Sequence, residues 1–217
     1  MTEDAVTWLR RHRGDRPWLV LGKGPSLDKR HLFSLDSYQI FALNHACRVH
    51  KPRVAHFTDL EAFYACLPVL EAYAATGTPP KIVLPWVPHV AMGPGEKNLA
   101  ELLEMDRRGG GSLFGLFSDG HLLSYNSTRV RRCRHNPGLG VVRVRYFSAV
   151  PACNILALAG VQRIHTLGVD GGSAYARDFD PGDKLANGRS SFDIQFRELD
   201  RTCKHHRIVI IPLAGNP

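Results

Sequence analysis

The sequence has 217 residues, of which 44% are hydrophobic and 22% charged, a composition typical of a globular protein that buries a full core. Its apolar runs are far shorter than the ~20 residues of a membrane-spanning helix, and its N-terminus lacks the basic and then apolar pattern of a secretory signal. We therefore expect one soluble cytoplasmic domain, residues 1–217, whose net charge of +8 favours anionic partners.

Short apolar runs alternate with helical patterns along the chain. The predicted helices are Thr2–Arg13, Leu60–Ala75, Glu96–Met105, Ala149–Gly160 and Ser191–Lys204. The predicted strands are Trp18–Leu21, Gln39–Leu43, Arg53–Phe57, Lys81–Leu84, Arg163–Gly168 and Arg207–Pro212. Pro68 should kink or divide its helix, and Arg107–Leu139 shows no clear period. The alternation predicts an α/β fold, a single Rossmann-like domain with a mostly parallel sheet and helices on both faces.

The cysteines and histidines do not indicate a metal site. The chain has five cysteines, an odd number with wide spacing and no Cys-x-x-Cys pair. The histidines, including the adjacent His205 and His206, also lack the spacing of metal ligands. We expect free thiols and no structural metal.

Nearly the whole excess of positive over negative charge lies in one stretch. Between Gly120 and Val169 the sequence has no Asp or Glu, and arginine is the side chain that binds phosphate or carboxylate through paired N–H groups. One interpretation is an anion- or acceptor-binding surface formed by Arg129, Arg131, Arg132, Arg143 and Arg145. The other is a solvated basic face, or arginines paired with acids from elsewhere in the fold.

A glycine loop follows the first long apolar strand, with the sequence Gly22-Lys23-Gly24-Pro25-Ser26. In an open parallel sheet, ligands bind beyond the carboxyl ends of the strands. Glycines let backbone amides approach an anion, and a helix capped by Ser26 would add its N-terminal N–H groups. The loop matches neither the dinucleotide fingerprint, whose third glycine would fall at Leu27, nor a P-loop. We predict a phosphate site here, with a simple strand-to-helix turn as the alternative.

Polar residues follow three other predicted strands. Asn44 comes after the second strand, Thr58 and Asp59 after the third, and Asp170 after a later one, with Tyr175 close by. An asparagine can bind a base or a ribose edge, and an aspartate can bind a ribose hydroxyl, orient a cation or act as a base. Each position alone is equally consistent with a turn.

The strings Leu19–Leu27, Phe41–Asn44, Ser148–Gly160 and Ile164–Asp170 together resemble a known family. The chain is similar to the bacterial sialyltransferase clan. That clan contains small α-2,3/2,8-sialyltransferases, motility-accessory-factor flagellin glycosyltransferases and archaeal hydroxymethylpterin pyrophosphokinases. The similarity runs in order over most of the chain and is weakest from about Pro88 to Tyr146. Its moderately specific elements are the Gly-x-Gly-Pro-Ser-Leu loop, the later Gly-Val-Asp and the tyrosine that follows it.

The resemblance implies roles for particular residues. The loop of Gly22, Lys23, Gly24, Pro25 and Ser26 would hold nucleotide phosphates, and Asn44 and Ser148 would contact the nucleotide donor. Tyr175 would hydrogen-bond the leaving phosphate, and a glycine- and charge-rich segment, 171–191, would form a flexible lid. Such a lid would exclude water from the donor.

One departure from the family concerns the general base. The sialyltransferases have a histidine shortly before the last helix, whereas the matching stretch here is Asn187-Gly188-Arg189-Ser190. Another base would then be needed, and the candidates are Asp59, Asp170, Asp178, Asp193, His45 and His56. An aspartate after the third strand, like Asp59, is also found in the flagellin and pterin branches, where a divalent ion would neutralise pyrophosphate.

These observations lead to a glycosyltransferase hypothesis, in which Asp59, Asp170 and Tyr175 are catalytic. The sugar would pass from a nucleotide-sugar donor to a surface glycan, a protein or a nucleic acid. One alternative is a pyrophosphokinase that uses ATP and Mg²⁺, and a second is a non-catalytic domain that binds a polyanion such as nucleic acid. The sequence leaves the oligomeric state open, a homo-oligomer included.

Overall fold

The structure, a computed structural model, describes residues 2–89, 97–108, 120–145, 147–179 and 191–215. Its strands are β1 Glu3–Asp4, β2 Trp18–Leu21, β3 Gln39–Leu43, β4 Val54–His56, β5 Lys81–Pro85, β6 Leu122–Ser127, β7 Val141–Val142, β8 Arg163–Leu167 and β9 Val209–Pro212. They form one sheet of order β1-β6-β5-β4-β3-β2-β8-β9, with β7 paired to β6. All the pairings between these strands are parallel. The predicted α/β fold is confirmed.

Five α-helices connect these strands in the described ranges. They are α1 Ala5–Arg11, α2 Leu60–Ala75, α3 Leu99–Arg108, α4 Ala149–Leu158 and α5 Ile194–His206. Pro68 lies within α2, and the helix runs through it without being divided. Shorter 3-10 helices occupy Pro25–Leu32, Leu35–Ser37, Asn44–Arg48 and Arg132–Arg134. No helix within the described part of the chain is long and apolar enough to cross a membrane.

Helices cover both faces of the sheet. Successive residues of a strand point to opposite sides, so each strand contributes side chains to both faces. Val20, Phe41 and Val54 pack on one side against α1, α4 and α5. Leu19, Ala42 and other alternate strand residues pack on the other side against α2, α3 and 3-10 helix residues. Burial on both faces explains why the strands have continuously apolar sequences.

Strand β6 was missed in the sequence because three of its residues, Ser124, Asn126 and Ser127, are polar. The structure nevertheless buries them, and their hydrogen bonds compensate for the lost water. Ser124 Oγ donates to the Leu84 carbonyl, and Asn126 Nδ2 donates to the carbonyls of Asn136 and Leu139. When the polar side chains of a buried strand form hydrogen bonds within the protein, its sequence lacks the continuous apolar run by which buried strands are predicted.

The N-terminal segment and the segment after β2 also differ from the predictions. Asp4 accepts a hydrogen bond from the Thr7 N–H and begins α1, whereas the prediction started this helix at Thr2. After β2 the chain forms a 3-10 helix that begins after Gly24, and Ser26 does not cap it. The predicted capping role of Ser26 is therefore wrong.

Candidate functional site

The connections change direction beside β2. From β2 the chain adds β3, β4, β5 and β6 outward on one side, and it later returns to place β8 on the other side of β2. Two neighbouring loops therefore leave the carboxyl ends of β2 and β8 in opposite directions. In open α/β sheets such a switch point is where a ligand crevice forms.

The glycines at this switch point allow two loops to approach each other closely. A Cβ atom added to Gly22 would overlap the Gly168 carbonyl oxygen, and one added to Gly24 would overlap the Asp170 carboxylate. Gly168 itself has φ +72°, in the left-handed region that glycine adopts readily. The packing of the β2 and β8 loops therefore requires Gly22, Gly24 and Gly168 whether or not a phosphate binds.

The backbone amides of the glycine loop are directed toward the β8 loop. Gly22 N–H donates to the Leu167 carbonyl and Gly24 N–H to the Gly168 carbonyl, both at 2.8 Å. Ser26 N–H donates to Asp170 Oδ2 at 2.7 Å. Three amides that were expected to face an anion are therefore already hydrogen-bonded, and phosphate binding by the loop stays a prediction.

Lys23 and Tyr175 lie together beside this loop. Lys23 Nζ lies 4.7 Å from the centre of the Tyr175 ring and 3.5 Å from His45 Nδ1. The Lys23 carbonyl accepts from the Ala176 N–H, which holds the chain near Tyr175 against the β2 loop. Burial raises the pKa of the Tyr175 phenol, so it keeps its proton at neutral pH and can donate a hydrogen bond.

A chain of hydrogen bonds joins the carboxyl ends of β3 and β4 to the start of α4. Asn44 Nδ2 lies 3.1 Å from Ser148 Oγ, which lies 3.1 Å from Thr58 Oγ1. Thr58 Oγ1 lies 2.9 Å from Asp59 Oδ2, and Asp59 Oδ1 lies 3.0 Å from His89 Nδ1. The structure thus brings together the predicted residues Asn44, Asp59 and Ser148.

The groups at the two ends of this series of hydrogen bonds, the Asn44 amide and the Asp59 carboxylate, fix which atom donates in each bond. An amide nitrogen only donates and a carboxylate only accepts, and each hydroxyl has one proton. Asn44 therefore donates to Ser148, Ser148 donates to Thr58, and Thr58 donates to Asp59. The hydroxyl protons of Ser148 and Thr58 are therefore both used in these hydrogen bonds.

Asn44 is the most unusual residue of the site. Its φ of +48° is a left-handed value that non-glycine residues seldom adopt. Its Oδ1 is buried and has no hydrogen-bond partner in the part of the protein that the structure describes. A buried acceptor without a partner is costly, so this oxygen indicates a missing donor.

Several other predicted residues have structural partners instead. Asp178 pairs with Arg30 at 2.6 Å, and Asp193 accepts from Gly172 N–H and Ser191 Oγ. His56 is fully buried against Tyr125, and burial lowers its pKa to about 3. These contacts lie outside the series of hydrogen bonds from Asn44 to His89, and His56 is too buried and too weakly basic to accept a substrate proton.

Arg143 and Arg145 both contact Glu198, whose side chain is only 4% exposed. Arg143 Nη2 lies 2.7 Å from this carboxylate, Arg145 Nε 3.9 Å and Arg201 Nη1 2.6 Å. This agrees with the second interpretation of the basic stretch, in which arginines pair with an acid from elsewhere in the fold. Arg129, Arg131 and Arg132 are exposed, and their anion-binding role stays a prediction.

The predicted lid falls partly on 180–190, which lie outside the described residues. Its beginning, at 171–179, packs against the 3-10 helix after β2 through Arg177 N–H and Asp28 Oδ1 at 3.0 Å. At its end, Phe192 N–H donates to the Gly172 carbonyl at 2.8 Å and Phe192 contacts the Tyr175 ring. The two ends of the segment therefore meet beside Tyr175.

The described ranges contain no group of three or more His, Cys, Asp or Glu side chains that could hold a metal ion. Asp59 and Asp170, the two acids that a Mg²⁺ site would use, are engaged separately. Asp59 pairs with His89, and Asp170 accepts from Ser26.

His89 is the residue that the sequence analysis missed. It lies four positions beyond the end of β5, in the stretch where the family resemblance is weak. Its backbone pairs with the end of β4, since His89 N–H donates to the Thr58 carbonyl and Leu60 N–H donates to the His89 carbonyl. A polar residue just past a strand end was the signal that could have identified it.

The α/β fold of this chain is similar to that of bacterial sialyltransferases, as the sequence resemblance predicted. Among solved structures, the chain is similar to the monofunctional alpha-2,3-sialyltransferase Cst-I from Campylobacter jejuni, with 16% identity and a TM-score of 0.52 over 91% of this chain and 75% of that one. It is also similar to the sialyltransferase CST-II in complex with a trisaccharide acceptor and CMP, with 16% identity and a TM-score of 0.51 over 93% and 82%. No protein-family model and no curated protein matches the chain.

Proposed function

We propose that this protein is a glycosyltransferase that binds a nucleotide-sugar donor at the carboxyl ends of β2, β3, β4 and β8. The observation that carries the proposal is the buried Oδ1 of Asn44, which has no partner among the described residues. The oxygen accepts hydrogen bonds only, so a ligand that binds to it would supply an N–H or an O–H. A nucleotide offers both, in an exocyclic base amine and in the ribose hydroxyls.

The backbone strain at Asn44 supports the same conclusion. The left-handed φ places Asn44 at the sharp change from β3 into the 3-10 helix Asn44–Arg48. Strain of this kind costs roughly 1–3 kcal/mol and persists where the position serves a site. The hydrogen bond from Asn44 Nδ2 to Ser148 fixes the amide, so Oδ1 keeps one orientation.

Lys23 and Tyr175 are suited to the phosphate of the donor. During glycosyl transfer, negative charge gathers on the leaving phosphate, and donors fixed beside it lower the barrier. Lys23 supplies a positive charge next to the Tyr175 ring, and Tyr175 supplies a phenol that stays protonated at neutral pH. Both come from the loops that follow β2 and β8, one on each side of the switch point.

The nucleotide to test first is CMP. One of the structures with this fold is a sialyltransferase complexed with CMP and a trisaccharide acceptor. The exocyclic amine of cytosine would match the acceptor at Asn44. We propose a glycan as the acceptor substrate, since that structure also contains a trisaccharide acceptor.

The test is a thermal-shift screen with CMP, UDP, GDP, ADP and ATP, each with and without Mg²⁺. A ligand at a hundred times its Kd stabilises the folded state by about 2.7 kcal/mol, which raises the melting temperature measurably. A shift with CMP or UDP supports the proposal. A shift with ATP that requires Mg²⁺ would instead favour the pyrophosphokinase, and the absence of any shift would favour a polyanion-binding domain.

The matched pair of variants is Asn44→Ala and Asn98→Ala. Asn98 lies at the start of α3, where its Oδ1 accepts a local hydrogen bond from Glu101 N–H. We expect Asn44→Ala to weaken nucleotide binding at least tenfold, and Asn98→Ala to retain the affinity of the parent protein. Equal affinity in both variants would contradict the assignment of the site.

A further inference from the structure

Asp59 and His89 form a carboxylate–imidazole pair at the end of the hydrogen-bonded chain. Asp59 Oδ1 lies 3.0 Å from His89 Nδ1. The Asp59 side chain is 22% exposed and that of His89 is 58% exposed, so the pair lies at the rim of the site with the imidazole on the solvent side. This position is open to a second substrate.

Hydrogen bonding fixes the tautomer of His89. The Asp59 carboxylate accepts the Thr58 proton at Oδ2, and it cannot donate through Oδ1. The proton between Asp59 and His89 must therefore sit on His89 Nδ1, which leaves the lone pair of a neutral imidazole on Nε2. An imidazole oriented in this way by a carboxylate has the arrangement of a general base.

The backbone of His89 is held in place as well. Its N–H and carbonyl both bond to the chain around Thr58, at 3.0 Å each. The imidazole is thus attached to the same strand end that carries Thr58 and Asp59. The hydrogen bonds through Thr58 and Ser148 continue to Asn44, the residue that we assign to the nucleotide.

The other histidines near the strand ends are less suitable. His56 is buried against Tyr125 and has a pKa lowered to about 3 by burial. His45 is also buried, and its Nδ1 lies 3.5 Å from the Lys23 ammonium. A proton acceptor for an incoming hydroxyl needs an accessible lone pair, and of these three histidines only His89 is exposed.

We propose that His89 Nε2 accepts the proton of the acceptor hydroxyl, and that Asp59 is the positioning residue that orients it. This inference rests on the proposed glycosyltransferase function. The acceptor oxygen forms a bond to the anomeric carbon while the bond from that carbon to the phosphate oxygen breaks, and its electron pair leaves with the nucleotide. The hydroxyl proton moves to His89, and Asp59 stabilises the resulting imidazolium.

The first test is transfer or hydrolysis of CMP-sialic acid, or of the corresponding sugar conjugate if another nucleotide gives the thermal shift. We expect His89→Gln to lower kcat by 10²–10⁴-fold, the usual contribution of a general base, with nucleotide affinity unchanged within twofold. The matched control is His31→Gln, an exposed histidine on the 3-10 helix after β2, which should keep full activity. Full activity of His89→Gln would overturn the inference and leave the proposed function standing.

Chemical rescue separates catalysis from structure. Added imidazole should restore part of the activity of His89→Ala, because the removed side chain leaves space at an exposed position. Failure of rescue together with a lost nucleotide shift would mean that His89 supports the fold and would overturn its catalytic role. A parent protein without nucleotide binding or turnover would overturn the proposed function and this inference with it.

The role of Asp59 has two readouts, the tautomer of His89 and the kinetic constants of an Asp59 variant. In ¹⁵N NMR spectra at neutral pH, His89 should carry its proton on Nδ1, and Asp59→Asn should change this tautomer while lowering kcat more than it changes KM. A His89 that is protonated on Nε2 in the parent protein would overturn the proposed orientation.

Discussion

Ser26 and Asp170 connect the loops after β2 and β8: the Ser26 N–H donates to Asp170 Oδ2 at 2.7 Å. The same serine accepts from the Gly168 N–H through its Oγ, also at 2.7 Å. Ser26 and Asp170 are 144 positions apart in the sequence. Ser26 thus holds the two loops together both as a donor and as an acceptor. The carboxylate that the sequence suggested as catalytic has a structural partner in the glycine loop.

Replacing Asp170 should therefore affect stability before it affects chemistry. We expect Asp170→Ala to lower the free energy of unfolding by about 1–3 kcal/mol, because the half-buried Ser26 N–H loses its acceptor. Asp170→Asn retains an acceptor oxygen and should lose less stability and keep most activity. Urea unfolding and turnover assays measure the two effects, and an Asp170→Asn variant that is stable but inactive would restore Asp170 as a catalytic candidate.

Gly22→Ala should be strongly destabilising, since its Cβ would overlap the Gly168 backbone. We expect a loss of at least about 2 kcal/mol, as for other overpacked positions. Gly138→Ala is the control, because the nearest atom to its Cβ would be the Asn136 side chain at 3.3 Å. Equal unfolding free energies for the two variants would show that the β2 and β8 loops can separate without cost.

Asn44→Gly should separate strain from binding. Glycine adopts the left-handed φ without steric cost but adds entropy to the unfolded chain, so we expect stability to stay within about 1 kcal/mol of the parent or to rise. Nucleotide affinity should fall at least tenfold, equivalent to about 1.4 kcal/mol, because the Oδ1 acceptor is gone. Calorimetric titration with the nucleotide checks this, and undiminished affinity would remove Asn44 from the site.

His56 should make the protein sensitive to acid. Burial lowers its pKa from 6.5 to about 3, so the unfolded chain binds a proton between these values while the folded protein does not. The stabilisation is complete well above pH 6.5 and is lost as the pH falls, at a rate that approaches about 1.4 kcal/mol per pH unit. Between pH 6.5 and pH 4.5 the loss due to His56 should be about 2 kcal/mol.

A paired substitution isolates this effect. His56→Phe combined with Tyr125→Phe removes the titrating ring and its buried hydroxyl partner together. Urea unfolding at pH 6.5 and pH 4.5 should then show a smaller decrease in stability than the parent protein does. An unchanged pH dependence would assign the acid sensitivity to other groups, such as His206, whose pKa is also lowered by burial.

Arg143 should contribute to stability rather than to anion binding. Its guanidinium lies 2.7 Å from the carboxylate of Glu198, which is 4% exposed. We expect Arg143→Ala to lower the free energy of unfolding by about 1–3 kcal/mol, because a buried carboxylate loses a charged partner. Arg131→Ala, at an exposed position, should change it by less than about 0.5 kcal/mol. A larger loss of stability in Arg131→Ala than in Arg143→Ala, together with weaker heparin binding by Arg143→Ala, would support the anion-binding interpretation.

The sequence by itself determined the strands that are buried on both faces, because each is a short, continuously apolar run between helical patterns. It also predicted where the candidate site lies, since the residues after parallel strands meet at the carboxyl ends of the sheet. For this reason Asn44 and Asp59 were candidates from the sequence pattern, whereas Ser148 was implied only by the family resemblance. Strand β6 was missed because its polar side chains are satisfied by partners that only the folded chain supplies.

Only the tertiary structure decided what each candidate contacts. The two amides at Gly22 and Gly24 bond to the β8 loop, Arg143 reaches a glutamate 55 residues away, and Asp59 meets His89 because the chain beyond β5 pairs with the end of β4. Local periodicity reports which residues are buried and where a strand ends. The partner of a polar side chain depends on strand order and register between distant segments, which hydrogen-bond geometry fixes only once the sheet has formed.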